Sequence, residues 1–253
     1  MHYQIDLNSD MGESFGAYKL GNDAEIIQYV TSANIACGWH AGDPMVMDRT
    51  VKAAAARGVA VGAHPGYPDL MGFGRRKMTL SSLETKNYVK YQIGALWAFA
   101  KSEGLKLQHV APHGSLGNLC QYDRETSRAI CEAVYEIDPS IIIYYCAGAV
   151  LGEEAKKLGL TAKSEIFADR AYMDDLSLVP RSMPGAMITD EDIAIARCIR
   201  MVKEGKVTSL NGKELDIRGD TLCVHGDGAK ALAFVEKIRA AFTAEGIEIR
   251  NFQ

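Results

Sequence analysis

Residues 81–111 read SSLETKNYVKYQIGALWAFAKSEGLKLQHVA, and their pattern decides the fold. Ser81 and Glu84 have capping-box spacing, in which hydroxyl and carboxylate each satisfy a backbone N–H orphaned at a helix start. Val89, Ile93, Leu96, Trp97 and Ala100 recur on one face, which predicts a core-facing helix over 81–103. Gly104 supplies the residue that ends it. A short apolar strand over 106–111 follows at once. Helix running straight into strand is one β/α unit, and the same unit recurs in both directions along the chain.

Upstream, the pattern predicts a strand over 3–8, a helix over 22–33, a strand over 34–37, a helix over 45–57 and a strand over 59–63. A long loop, 64–80, follows. Downstream come a helix over 119–137, a strand over 141–146, a helix ending near 158–159 and a strand over 161–166. The stretch 167–188 has no period and holds Pro180 and Pro184. A helix over 190–204, an Asn211-Gly212 hairpin turn, a strand over 222–225 and a helix over 229–244 complete the set, with 247–249 as a candidate eighth strand. Seven or eight such alternations give a parallel sheet with right-handed crossovers. The count favours a closed, TIM-like barrel over an open doubly wound sheet. No GxGxxG follows the first strand, which removes the main support for a dinucleotide fold.

The chain has 253 residues, 47% apolar and 24% charged, with net charge −4. This suits one barrel domain over 1–253 and excludes disordered, collagen-like and coiled-coil classes. No run of about 18 apolar residues predicts a membrane span, and no basic-then-apolar leader predicts secretion. The acidic balance argues against nucleic acid. Six cysteines without a CxxC pair read as reduced thiols, hence a cytoplasmic protein.

The titratable residues collect at predicted strand ends, which in a (β/α) barrel meet at one rim. Asp6, Asn8, Asp10 and Glu13 lie at or past strand one, and Cys37, His40 and Asp43 past strand two. His64 and His113 follow strands three and four. Glu165, Asp169 and Arg170 surround the end of strand six, and His225 and Asp227 follow strand seven. Asp43 before Pro44 reads equally as a helix cap, and His2 and His109 read as non-functional. Histidines of near-neutral pKa suit general acid–base catalysis, with a carboxylate such as Asp10 orienting them. The same groups, Asp10, His40 and His64, also read as ligands of a divalent ion, magnesium or zinc. Arg75, Arg76, Arg170 and Arg181, and the helix start near Gly228, are candidate clamps for a carboxylate or phosphate. The loop 72–76 reads as a lid. No GxxxxGK[ST] phosphate loop is present.

These segments resemble the LamB/YcsF lactam-utilisation family, whose members are also described as the A subunits of 5-oxoprolinases. The matching stretches are 6–16 (DLNSDMGESFG), 34–44 (NIACGWHAGDP), 62–69 (GAHPGYPD) with 72–76 (GFGRR), 112–114 (PHG), 165–170 (EIFADR), 178–181 (LVPR) and 224–227 (VHGD). The resemblance implies a seven-stranded barrel of the glycoside hydrolase/deacetylase type. It implies cleavage of 5-oxoproline, a γ-lactam, to L-glutamate, with ATP as co-substrate, and partner subunits B and C. Three positions depart from the family pattern: Ala111 stands where lysine is usual, Gly117 where tyrosine is usual, and Trp39 where phenylalanine is usual.

The reading is therefore one component of an ATP-dependent 5-oxoprolinase. Asp10, His40, His64 and His113 are its catalytic groups. Asp6, Asn8, Glu13, Arg76, Glu165, Asp169, Arg170 and His225 bind substrate or phosphate. The rivals are a paralogue acting on another cyclic amide, a stand-alone metal-dependent amidase or deacetylase, and a non-catalytic binding subunit. The oligomeric state, self-association included, is left open.

Overall fold

The computed structural model describes residues 2–224 and 231–252. Among the described residues ten strands are formed: β1 (Tyr3–Met11), β2 (Ser32–Ala36), β3 (Ala60–His64), β4 (Leu107–Val110), β5 (Ile142–Cys146), β6 (Ala162–Phe167), β7 (Lys206–Thr208), β8 (Glu214–Asp216), β9 (Thr221–Cys223) and β10 (Ile247–Ile249). Seven of them pair in parallel in the order β1-β2-β3-β4-β5-β6-β9. β9 returns to β1 through Asp6↔Thr221, Leu7↔Leu222 and Asn8↔Cys223, which closes the ring. β7 and β8 form the antiparallel hairpin that Asn211-Gly212 predicts. β10 pairs with the first residues of β1, outside the ring.

Helices α1 (Asp23–Ile26), α2 (Pro44–Ala55), α3 (Ser82–Ser102), α4 (Gly114–Leu119), α5 (Arg124–Ile137), α6 (Val150–Lys157), α7 (Glu191–Lys203) and α8 (Ala231–Ala244) complete the fold. Along β1, Ile5, Leu7 and Met11 join the apolar layer between strands and helices. Asp6, Asn8 and Asp10 alternate with them and face the barrel interior, as strand geometry requires. α3 starts on the predicted capping box and buries Val89, Ile93, Leu96 and Ala100.

Four expectations need correction. Ile26, Ile27 and Val30 are buried at helical spacing, yet the helix predicted over 22–33 is only the four residues of α1. Thr31 donates its N–H to the Leu7 carbonyl and its hydroxyl accepts from the Leu7 N–H, so the chain is drawn into the sheet at Ser32. The helix predicted over 119–137 is two, α4 and α5, because Asp123 caps a new start by accepting from the Thr126 N–H at 2.7 Å. Trp97 is 46% exposed; it lies beside the buried stripe with Lys101 against its ring. β1 runs to Met11, so Asp10 lies within the strand and not past it.

Candidate functional site

At the C-terminal ends of the ring strands lies a cavity of about 970 Å³, lined by Asp10, Glu13, His64, Arg75, His113, Glu165, Arg170 and Arg181 among others. Its centre is a histidine pair from two neighbouring strand ends. His64 Nδ1 donates to the Ala111 carbonyl at 2.6 Å. His113 Nε2 donates to the Phe73 carbonyl at 2.9 Å. A carbonyl oxygen only accepts, so both tautomers are fixed. The two remaining nitrogens, His64 Nε2 and His113 Nδ1, then face each other at 2.9 Å. Two lone pairs that close are stable only with a cation between them, either a proton or a metal ion.

The carboxylates complete this arrangement. Asp10 Oδ1 lies 3.4 Å from His64 Nε2 and accepts from Asn34 Nδ2 at 2.9 Å. Glu13 Oε1 lies 3.7 Å from His113 Nδ1 and 3.3 Å from His40 Nε2. Burial opposes a charge on His64, but Asp10, Glu13 and the Ala111 carbonyl outweigh it and push its pKa up to about 9. Burial, and then the positive charge of His64, drive His113 down to about 3. His40, buried and beside both rings, is held well below the usual histidine range. One imidazolium, on His64, is the resulting state.

His40 does not reach the cavity. It is fully buried and stacks on His113 with ring centroids 3.7 Å apart. Gly74 permits the stack: it has φ +64, and a Cβ there would sit 2.7 Å from both His113 Cδ2 and His40 Cβ. The segment carrying it, read from the sequence as a lid, forms part of the cavity wall in this structure. The buried Asp69 accepts the Gly72 N–H at 3.0 Å and the Arg76 N–H at 3.2 Å, Arg76 pairs with Asp69, and the Ser115 N–H donates to the Gly74 carbonyl.

The other predicted residues divide. Glu165 and Arg170 line the cavity, whereas Arg76 and Asp169 do not; Arg75 faces in where Arg76 was expected. Asp6 and Asn8 lie in the closed interior of the barrel. Asp6 accepts from Thr31, Ser32, Thr221 and Tyr144. Asn8 donates to Thr221 and accepts from Asn34. Neither is accessible to a ligand, and the alternation 6, 8, 10 along β1 is the signal that assigns them to the interior face. Asp43 caps α2. His225, Asp227 and the anion site expected near Gly228 lie outside the described residues. Sequence reasoning missed Phe73, whose role is its main-chain carbonyl, and Asn34. Of the three departures, Gly117 lines the cavity, Ala111 contributes its carbonyl, and Trp39 packs on Tyr88 and Tyr91.

Among the described residues, Glu13, His40, His64 and His113 are a set able to hold a metal, with ligand atoms within 4.8 Å of one another. This set shares His40 and His64 with the predicted Asp10, His40 and His64, and Asp10 Oδ1 lies 3.4 Å from His64 Nε2. Carbonyls that fix the outer nitrogens of two histidines and leave the inner ones free are the surroundings that metal-bound imidazoles need. The residues therefore fit a divalent ion, and three nitrogens to one carboxylate suit zinc better than magnesium.

The model of the LamB/YcsF family matches residues 5–253. The chain belongs to the LamB/YcsF family. A relative from Alkaliphilus metalliredigens, named as the A subunit of 5-oxoprolinase, is 58% identical over 247 residues, covering 98% of this chain and 96% of its own. The lactam utilization protein of Thermus thermophilus superposes with a TM-score of 0.93 at 51% identity, covering 98% of this chain and 100% of that one. The catalytic domain of a peptidoglycan N-acetylglucosamine deacetylase from Eubacterium rectale matches with a TM-score of 0.53 at 10% identity, covering 100% of this chain and 90% of that domain. That last likeness is one of fold alone.

Proposed function

We propose that this LamB/YcsF protein is the A subunit of a 5-oxoprolinase and opens a γ-lactam by hydrolysis, together with subunits B and C and at the expense of ATP. The names of its relatives support the lactam and the complex. The observation that carries the chemistry is the His64–His113 pair flanked by Asp10 and Glu13 at the cavity wall.

An unstrained amide is a poor electrophile, and phosphorylation of its carbonyl oxygen by ATP makes the carbon reactive. Glu13 is the base that takes a proton from the attacking water as the C–O bond forms. The C–N bond breaks as His64 Nε2 delivers the proton that the ring nitrogen needs; this leaves an acyl phosphate, which a second water hydrolyses to the carboxylate and inorganic phosphate, ADP having left in the phosphorylation step. His64 is suited to donate because it is charged at neutral pH. Asp10 holds that charge in place, and Asn34 holds Asp10. His113, neutral, orients the His64 proton and is itself oriented by Phe73. In the alternative occupancy, a divalent ion in place of the proton between His64 and His113 would be held by Glu13, His40, His64 and His113 and would supply Lewis acidity at the carbonyl instead of the His64 proton.

The test is turnover of 5-oxoproline by the reconstituted three-subunit complex, with and without ATP. ATP-dependent glutamate release that requires this chain is the expected result. Its absence, with lactam recovered intact, overturns the assignment. The four-donor cluster favours one second reading, a metal-dependent amidase that works alone. That reading predicts amide cleavage without ATP or partners, loss on chelation and recovery with zinc.

A further inference from the structure

Arg170 stands apart in the cavity wall. It is 7% exposed. Its Nη2 donates to the Val179 carbonyl at 2.7 Å, while its buried Nε has no hydrogen-bond partner. The side chain sits on a fixed backbone: the Arg170 carbonyl accepts from Arg197 Nη2 at 2.7 Å, and Arg170 bridges to Met187. Arg197 is braced against the Tyr172 ring. Burial, and then the nearby charge of Arg181, push the Arg170 pKa down; Asp169 opposes this and Arg75 adds to it. Arg75 and Arg181 also line the cavity. A buried guanidinium with an open N–H in a field of like charge is costly unless an anion joins it, and its fork suits two oxygens on one centre.

We propose that Arg170, flanked by Arg75 and Arg181, forms an oxyanion subsite that holds a carboxylate or phosphoryl group of the ligand while His64 and His113 face its amide. This deepens the lactam reading and rests on it for the identity of the ligand. A neutral lactam fills the reacting end of the cavity and leaves the Arg170 Nε–H without an acceptor.

The test measures binding to the whole isolated chain by calorimetry, so it does not depend on turnover. The probes are 5-oxoproline, 2-pyrrolidinone (the same ring without the carboxylate) and inorganic phosphate. The variants are Arg170→Met and, because Arg170 supports the Val179 carbonyl, Arg181→Met, whose side chain is exposed at the mouth. Preference for 5-oxoproline over 2-pyrrolidinone by roughly 30-fold or more, reduced in both variants, supports the subsite with the carboxylate as its occupant. Phosphate binding that weakens in both variants, without preference between the two lactams, supports the subsite with a phosphoryl group as its occupant. Equal binding of all three probes to wild type and variants overturns the proposal. If anion binding depends on Arg170 while the complex leaves 5-oxoproline uncleaved, the subsite stands and the substrate assignment falls. If the complex cleaves 5-oxoproline and neither variant changes binding, the reverse holds.

Discussion

Two clusters of buried polar groups sit one above the other in this barrel. The lower comprises Asp6, Asn8, Asn34, His109 and Tyr144; the upper comprises Asp10, Glu13, His64 and His113. Both draw on β1 and β4, and His109 and His113 are only four residues apart. In the lower cluster most groups satisfy one another: His109 Nε2 meets Asn34 Oδ1 at 2.7 Å and its ring stacks on Tyr144 at 3.9 Å, while His109 Nδ1 is buried without a hydrogen-bond partner. Gly62 leaves room for that imidazole, since a Cβ there would lie 2.1 Å from His109 Nε2. In the upper cluster the carbonyls of Ala111 and Phe73 consume one nitrogen of each histidine and leave two lone pairs turned toward each other beside an open cavity. Burial and ionisable character are common to both. Access distinguishes the upper one: Asp10, Glu13, His64 and His113 line the cavity, and no member of the lower cluster does.

Substitutions should separate the two clusters. The largest effect is expected from His113→Ala, which should lower turnover of the reconstituted complex by about 10²–10⁴-fold at a temperature where the variant is still folded, beyond the stability lost with a buried, stacked ring. His109→Ala should lower stability without that loss of turnover. Loss of a buried, stacked and hydrogen-bonded ring should cost about 2–4 kcal/mol in chemical denaturation, with KM unchanged in whatever fraction remains folded. If His109→Ala instead abolished turnover at full stability, the division between the clusters would be wrong.

Gly74→Ala tests the upper cluster through its backbone. Strain at positive φ and contact with two imidazoles should cost about 1–3 kcal/mol and should slow turnover as well, measurable by thermal melts beside rate assays. The smallest effect concerns Asp6. Burial holds its carboxyl above the ordinary 3.8, against four hydroxyl hydrogen bonds that lower it. A raised folded-state pKa means stability that is full below the unfolded value and is lost as pH rises through the folded one. Asp6→Asn should flatten that part of the stability–pH curve, by about 1 kcal/mol or less, when denaturant midpoints are followed upward from about pH 3.

The barrel was legible in the sequence because short apolar runs and capped helices alternate, and both signals are local. The histidine side of the cavity was legible for the same reason: His64 and His113 directly follow readable strands. On the arginine side the residues were named, Arg75, Arg170 and Arg181 among the expected clamps, but the structure that presents them was not legible. Arg170 and Arg181 lie in 167–188, where backbone bonds such as Ala171 N–H to the Ala186 carbonyl build the structure without any periodic pattern. Arg75 and Arg76 could not be told apart, because only the Asp69 contact turns one outward. Asp6 and Asn8 were placed on the rim because strand one was read as ending at residue 8; three more strand residues move them into the interior. The apolar spacing of Ile26, Ile27 and Val30 imitates a helix that the pull of Thr31 on Leu7 does not allow.

Phe73 adopts φ +53, a left-handed conformation that costs a side-chain-bearing residue energy. Its contribution to His113 is made by an atom that every amino acid shares, so truncating side chains one at a time along this loop passes over it in silence. Replacing the 73–74 amide by an ester, which weakens that oxygen as an acceptor and leaves every side chain in place, would reveal it. In this protein part of the chemistry is written in the main chain, and a catalogue of tolerated substitutions at position 73 records only how well the ring packs beside His40 and His113.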